Sequence, residues 1–389
     1  MRLIAPSPTL AITAKAKALK AAGREVFAFG AGEPDFNTPE AIIEAACAAM
    51  REGKTKYTPS GGIPELRRAV AEKLGRDYGL SYEGQHVHIA SGAKQALYNV
   101  FQAILDPGDE VIIPIPYWVS YPEQVKLAGG VPVFVPTRRE DGYKLRPEAL
   151  EKAITPRTKA FVLNSPSNPS GTLYTEAELT GLYAVLSGQS IWIISDEIYG
   201  RLVYDGEHRS IAAIDPEAPA RTVIIDGVSK TYSMTGWRIG WAVSRDVRLI
   251  EMMDDLASQS TSNPTTFAQY GALKAVTMDQ SSVQTMVDAF RRRRDLIVSL
   301  LADIPGFRLF TPPAAFYVWV DVQAALERLG FDDADRFAEA LLQATGVVVV
   351  PGSGFGDPSH IRLSFAVDEA VIEEGVRRMA EFVRARWGQ

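Results

Sequence analysis

The chain of 389 residues has a single cysteine, Cys47, and four scattered histidines, His86, His88, His208 and His360. One cysteine excludes an internal disulfide framework and fits a reducing compartment, so the cytoplasm is the expected location. With so few cysteines, the histidines form no spacing that would hold a metal, and no metal is expected. Cys47 sits in Ala45-Ala-Cys-Ala-Ala49, a setting for helix packing and not for catalysis. The apolar runs are all far shorter than a membrane span, and the first residues lack the apolar core of a signal peptide. Positive charge is also not in excess. The net charge is −6, which gives no electrostatic reason to expect nucleic acid or an anionic membrane as partner. There is no internal repeat and no low-complexity tract.

What is present is the composition of a globular protein: 46% hydrophobic and 23% charged residues. Pro6 and Pro8 punctuate residues 1–10, which read as an extended arm before a helix over 11–22. From residue 86 onwards, short apolar strands alternate with helical patterns. The strands read as 86–90, 111–113, 131–135, 160–164, 191–195, 222–225 and 239–243. Such alternation implies an α/β fold with a mostly parallel, doubly wound sheet. Ligands on such sheets sit beyond the carboxyl ends of the strands. After residue 290 the pattern becomes α+β, with strands at 315–320, 346–350 and 360–365. Arg291-Arg-Arg-Arg294 reads as solvated charge opening a helix, because four consecutive residues point around most of its circumference.

The polar features fall at the expected sheet edge. His86–Ala90 is followed by Ser91-Gly-Ala-Lys94 and then a helix with Leu97, Val100, Phe101, Ile104 and Leu105 on one face. A small-residue turn before a helix N-terminus leaves free N–H groups, which suit an anion. Asp196 follows Ile191-Trp-Ile-Ile-Ser195, where a buried carboxylate is costly unless paired. Past Thr222-Val-Ile-Ile225 comes a loop with Ser229, Lys230 and Arg238. Burial lowers a lysine's pKa, and a neutral amine condenses with an aldehyde. A hydroxyl and a planar cation beside it suit a phosphate. An aldehyde carrying a phosphate is pyridoxal 5′-phosphate (PLP), whose sites need a lysine and a partner for the ring nitrogen.

These motifs, in this order and spacing, resemble the class I aminotransferases of the fold type I PLP-dependent transferases. The likeness is strongest to the bacterial aspartate and aspartate/prephenate group. It runs from Pro6-Ser-Pro-Thr-Leu10 and Ala31-Gly-Glu-Pro-Asp-Phe36 through Gly53-Lys-Thr-Lys-Tyr57, Pro116-Tyr-Trp-Val-Ser-Tyr121 and Asn164-Ser-Pro-Ser-Asn168-Pro. It continues through Asp196-Glu-Ile-Tyr199, Ser229-Lys230, Gly236-Trp-Arg-Ile-Gly240 and Ile361-Arg-Leu-Ser364. The resemblance implies an arm (1–15), a small α+β domain (16–48 with 290–389) and a large PLP-binding domain (49–289).

It also implies roles. Lys230 forms the internal aldimine and shuttles the substrate proton, Asp196 pairs with the ring nitrogen, and Tyr199 and Asn168 hydrogen-bond the ring oxygen. Trp118 stacks on the ring. Gly92, Ala93, Ser229 and Arg238 hold the phosphate, with Lys94 beside them, and Tyr57 reaches the phosphate of the neighbouring subunit in a homodimer. Arg362 takes the substrate α-carboxylate, Gly32, Trp118 and Asn168 border the substrate, and Lys94 with Thr9 meets a distal carboxylate. Read from the residues alone, Arg362 alternates with Ile361 and Leu363, a pattern more typical of a strand's exposed face.

The implied activity is transamination between aspartate or glutamate and a 2-oxo acid such as 2-oxoglutarate, oxaloacetate or prephenate. The alternatives are an aminotransferase for aromatic or other neutral amino acids, or a PLP-dependent C–S lyase on the same fold. Lys94 with Arg362 argues for two carboxylates and against the lyase.

Overall fold

A computed structural model describes residues 8–388, without the side chains of residues 8–11 and 13. The chain begins with α1 (Pro8–Ala21), β1 (Phe27–Ala28), α2 (Glu40–Arg51) and α3 (Pro64–Tyr78). The middle alternates: β2 (Val87–Ala90), α4 (Ala93–Ile104), β3 (Glu110–Ile115), α5 (Ser120–Leu127), β4 (Val131–Pro136), α6 (Pro147–Ala153), β5 (Thr158–Asn164), α7 (Glu176–Leu186), β6 (Trp192–Asp196), β7 (Thr222–Gly227) and β8 (Gly240–Val243). Three helices follow: α8 (Val247–Ser260), α9 (Thr266–Thr277) and α10 (Ser281–Ala302). The last part holds β9 (Arg308–Leu309), β10 (Tyr317–Asp321), α11 (Gln323–Leu329), α12 (Ala334–Thr345), β11 (Val347–Val348), β12 (Val350–Pro351), β13 (His360–Ser364) and α13 (Glu369–Trp387).

Seven strands form the central sheet in the order β2-β8-β7-β6-β5-β3-β4. The pairs among β4, β3, β5, β6 and β7 are parallel, whereas β8 is antiparallel to both neighbours. The reversal has a local cause. No crossover helix separates β7 from β8, only a loop with one 3₁₀ turn at Thr235–Trp237, so the chain doubles back. The inner strands are apolar on both sides and are covered by helices: β5 reads Ala160-Phe-Val-Leu163, and all four residues are at most 2% exposed. The stripe expected on α4 is buried, with Leu97, Val100, Phe101 and Ile104 inside.

A second sheet, β12-β13-β10-β9, is antiparallel throughout. The parallel pair β1–β11 ties the N-terminal segment to it, and Ser364 N–H donates to Phe29 O at 2.7 Å. This draws the Gly30–Glu33 loop alongside β13. α1 begins at Pro8, three residues before the expected helix start, because proline's fixed φ suits a first helical turn. The arginine run lies inside α10 and does not open it. Arg293 and Arg294 are buried rather than solvated: Arg293 pairs with Asp35 at 2.8 Å, and Arg294 donates to Asp295 at 2.7 Å and to Pro312 O at 3.1 Å. Among the described residues, no helix is long and apolar enough to cross a membrane.

Candidate active site

The carboxyl ends of β5, β6 and β7 lie side by side, with Asn164 opposite Asp196 and Asp196 opposite Ile225. Lys230 follows within one turn of the end of β7. Asp196 is buried; its Oδ2 accepts from the Tyr121 hydroxyl at 2.6 Å and its Oδ1 from Ile198 N–H at 3.3 Å. Burial pushes this carboxyl up to about 6, against the pull of those two donors. The Lys230 amine donates to Gly32 O at 2.5 Å. Burial pushes it down to about 8; Glu33 opposes this, while Arg238, Arg362 and Lys94 add to it. A lysine so placed has an appreciable neutral fraction near physiological pH.

The anion end of the site is built where β8 runs beneath the start of α4. Gly92 precedes the helix at φ 91°, and a Cβ there would lie 2.5 Å from Arg238 Nη2. At Gly240 a Cβ would lie 2.3 Å from Ala93 N, so glycine alone lets β8 approach so closely. The first helical N–H groups, at Ala93 and Lys94, have no intrahelical acceptor. Arg238 adopts a left-handed conformation (φ 57°) and donates to Thr235 O at 2.9 Å and Ser91 O at 3.3 Å. Ser229 is buried close by along the same wall. The Lys94 amine lies 4.9 Å from the Trp118 ring centroid, and burial, reinforced by Arg238, lowers its pKa.

The opposite end is built around Arg362, which is 2% exposed. Its Nη1 donates to Asn168 Oδ1 at 2.9 Å and its Nη2 to Gly30 O at 3.0 Å. Its Nε is buried with no partner among the described residues. The guanidinium lies 4.4 Å from the Tyr317 ring centroid, and the Tyr317 and Tyr199 hydroxyls are 3.0 Å apart. Asn164 orders this wall: its Oδ1 accepts from Asn168 N–H and its Nδ2 donates to Asp196 O. Arg362 therefore does not face solvent, as strand alternation suggested, because β13 is buried on both faces.

One cavity of about 480 Å³ brings together Gly32, Ala93, Lys94, Trp118, Asn168, Asp196, Tyr199, Ser229, Lys230, Arg238 and Arg362. Gly92 stands at its edge, fixed against Arg238. Tyr57 lies outside it, 90% exposed. The side chain of Thr9 lies outside the described residues. Sequence reasoning assigned no role to Tyr121, Asn164, Tyr317, Glu33, Thr235 or Lys17, which also line the cavity. Tyr121 had one available signal, its place three residues after Trp118 at the start of α5. Tyr317 had none, since an aromatic inside an apolar strand reads as core.

Residues 24–379 match the family described as aminotransferase class I and II. Among curated relatives, an aspartate aminotransferase of Geobacillus stearothermophilus is 53% identical over 98% of each chain. An aspartate/prephenate aminotransferase of Cereibacter sphaeroides is 49% identical over 97% of this chain and 96% of its own. The solved Thermus thermophilus aspartate aminotransferase with maleate superposes with a TM-score of 0.93 at 45% identity, covering 98% of this chain and 97% of that one. With near-complete coverage on both sides, the chain belongs to the class I and II aminotransferases.

Proposed function

We propose that the chain is a PLP-dependent aspartate aminotransferase, moving an amino group between a dicarboxylic amino acid and a 2-oxo acid. The observation that carries this reading is the meeting of Lys230, Asp196 and the unsatisfied Nε of Arg362 in one cavity. The names of the relatives support it.

The residues suit the cofactor. An amine of lowered pKa suits an aldehyde, a buried carboxylate suits a ring nitrogen, and free helix N–H groups with Arg238 and Ser229 suit a phosphate. When bound, PLP supplies an electrophilic carbon and an electron-withdrawing ring. Lys230 would hold the cofactor's aldehyde carbon, and as a neutral amine it is the base placed for the substrate Cα proton. Asp196 would pair with the ring nitrogen and favour its protonated form, and Tyr121 and Ile198 N–H hold the carboxylate in orientation and favour its ionised form. Trp118 would cover the ring face, and Tyr199 and Asn168 would hold the ring oxygen. Arg362, fixed by Asn168 and Gly30, grips the α-carboxylate and so aligns the Cα–H bond. Gly32 borders the substrate, and Lys94 is a cation for the distal carboxylate. Tyr57, exposed and outside its own cavity, reaches the phosphate site of a second subunit, which makes the working unit a homodimer. A lone cysteine favours the cytoplasm.

Mixing the PLP form with single amino acids and following its visible absorbance tests this reading. Aspartate and glutamate should convert the spectrum and phenylalanine should not, with prephenate tried next as acceptor. Lys230→Ala should lose the visible band and nearly all turnover. Release of ammonia and pyruvate in place of a new amino acid would select a lyase and sink the proposal.

A further inference from the structure

Five cations line the cavity: Lys17, Lys94, Lys230, Arg238 and Arg362. Four of them are engaged by protein groups. Lys230 donates to Gly32 O, Arg238 to two backbone carbonyls, and Arg362 to Asn168 and Gly30. The Lys94 amine lies over the Trp118 ring. Of the five, only Lys17 has no hydrogen bond, ion pair or ring contact among the described residues. Its helix is held beside the cavity. Ile12 of α1 packs, as Trp118 does, against the cluster that includes Trp319 and Val350, and its Cγ2 lies 3.4 Å from where a Cβ of Gly30 would be.

A dicarboxylic substrate and a phosphorylated cofactor bring three anionic groups into this space. Under the reading above, Arg362 takes the α-carboxylate, and the start of α4 with Arg238 takes the phosphate. Lys94 is the second residue of α4 and lies towards the phosphate end, where its charge shares that field with Arg238. For the distal carboxylate this leaves Lys94, whose amine rests over the Trp118 ring, and Lys17.

We infer that Lys17 is a specificity-determining residue that binds the distal carboxylate of acidic substrates alongside Lys94. The inference rests on the aminotransferase reading and names a further residue of the same site. Glu33, which accepts from Thr235 at 2.8 Å, is an acid lining the same cavity. If Lys17 served only to balance Glu33, its loss would affect mono- and dicarboxylic ligands alike.

The test uses PLP-loaded wild type, Lys17→Ala and Lys17→Glu. Calorimetry gives the Kd of succinate, a dicarboxylate, and of propionate, a monocarboxylate. Steady-state assays give kcat/KM for aspartate and alanine. Lys17→Ala should weaken succinate about three- to tenfold and Lys17→Glu more, with propionate nearly unchanged. The loss should shrink at high salt, because the side chain stands at the open mouth. Aspartate should lose through KM rather than kcat, and alanine should hold its kcat/KM in Lys17→Ala. Unchanged succinate binding, or an equal loss for succinate and propionate, overturns the assignment. If wild type binds succinate and transaminates aspartate, such a result removes only the role of Lys17. If wild type does neither, the aspartate aminotransferase reading falls with it.

Discussion

The Tyr121 hydroxyl donates a 2.6 Å hydrogen bond to Asp196 Oδ2, between two side chains almost wholly removed from water. Burial favours the neutral form of Asp196, and this donor works against burial. In its proposed role Asp196 must be ionised to pair with a cationic ring nitrogen, so activity should fall as pH drops through its pKa. Removing the donor in Tyr121→Phe raises that pKa further. A hydrogen bond to a charged group contributes about 1.5–3 kcal/mol, equivalent to about one to two pH units. The acid limb of the kcat/KM profile should move to higher pH by about that amount, with most of the loss at pH 6 and little at pH 8.5. A profile lowered evenly at every pH would show that Tyr121 acts only through packing.

Arg362 sits between two carbonyl acceptors with its Nε left over, a planar fork prepared for a carboxylate. Lysine retains the charge but not the fork. Arg362→Lys should lower kcat/KM for aspartate about a hundredfold, the scale of about 2–5 kcal/mol for a buried charge pair that loses its geometry. Steady-state kinetics with aspartate and 2-oxoglutarate checks it. Cofactor affinity should stay within about twofold, because the proposed phosphate site, at the start of α4 and Arg238, is at the other end of the cavity.

At Gly92 a methyl group would overlap the Arg238 guanidinium, 2.5 Å away, and a non-glycine residue would be strained at φ 91°. Gly92→Ala should displace Arg238 from the carbonyls of Ser91 and Thr235 and weaken PLP binding at least tenfold. Absorbance titration of the apo form measures this. Gly240→Ala would press on the backbone nitrogen of Ala93, which cannot rotate away, so its main effect should be a lower unfolding temperature. If both variants bind PLP as wild type does, the close seating of α4 on β8 is not what shapes the phosphate site.

Much of this arrangement was legible in the chain. Asp196 and Lys230 each follow a short β-branched run, and residues past adjacent parallel strands converge at one sheet edge. Arg362 was legible only through its motif. Its alternation with Ile361 and Leu363 suggests an exposed face, but neighbouring helices and the Gly30 loop cover both faces of β13, and no local pattern records that. The reversed β8 and the buried Arg293 and Arg294 were missed for a similar reason. In each case the outcome depends on partners distant in sequence, such as Asp35 for Arg293. Lys17 and Tyr317 stand in ordinary helical and strand patterns, and only the folded chain brings them to the cavity.

Directly after Asp196, Glu197 points into a separate buried network. The hydroxyls of Ser195 and Ser210 both donate to its Oε1, at 2.8 and 2.6 Å, and the His208 ring stands 4.0 Å from its Oε2. Burial pushes this carboxyl up to about 8, beyond what the two hydroxyls restore, and pushes His208 down to about 4. His208 Nε2 donates to Ser165 O at 2.9 Å and its Nδ1 accepts from Tyr78 at 2.9 Å, the bonding of a neutral ring. In the unfolded chain Glu197 releases its proton near 4.5, whereas the folded chain keeps it to about 8. The folded state thus binds more protons across that window, and stability must fall as pH rises through it. Glutamine mimics the protonated acid and can still accept from both serines. Glu197→Gln should therefore flatten the dependence of the unfolding temperature on pH between about 5 and 8, and should be more stable than wild type at pH 8 by about 1–3 kcal/mol. Parallel melts of the two proteins at pH 5.5 and pH 8 settle it. A glutamine variant that loses stability with rising pH as steeply as wild type would mean that Glu197 is ionised in the fold and held by a cation, with Lys73 the cation that acts on it.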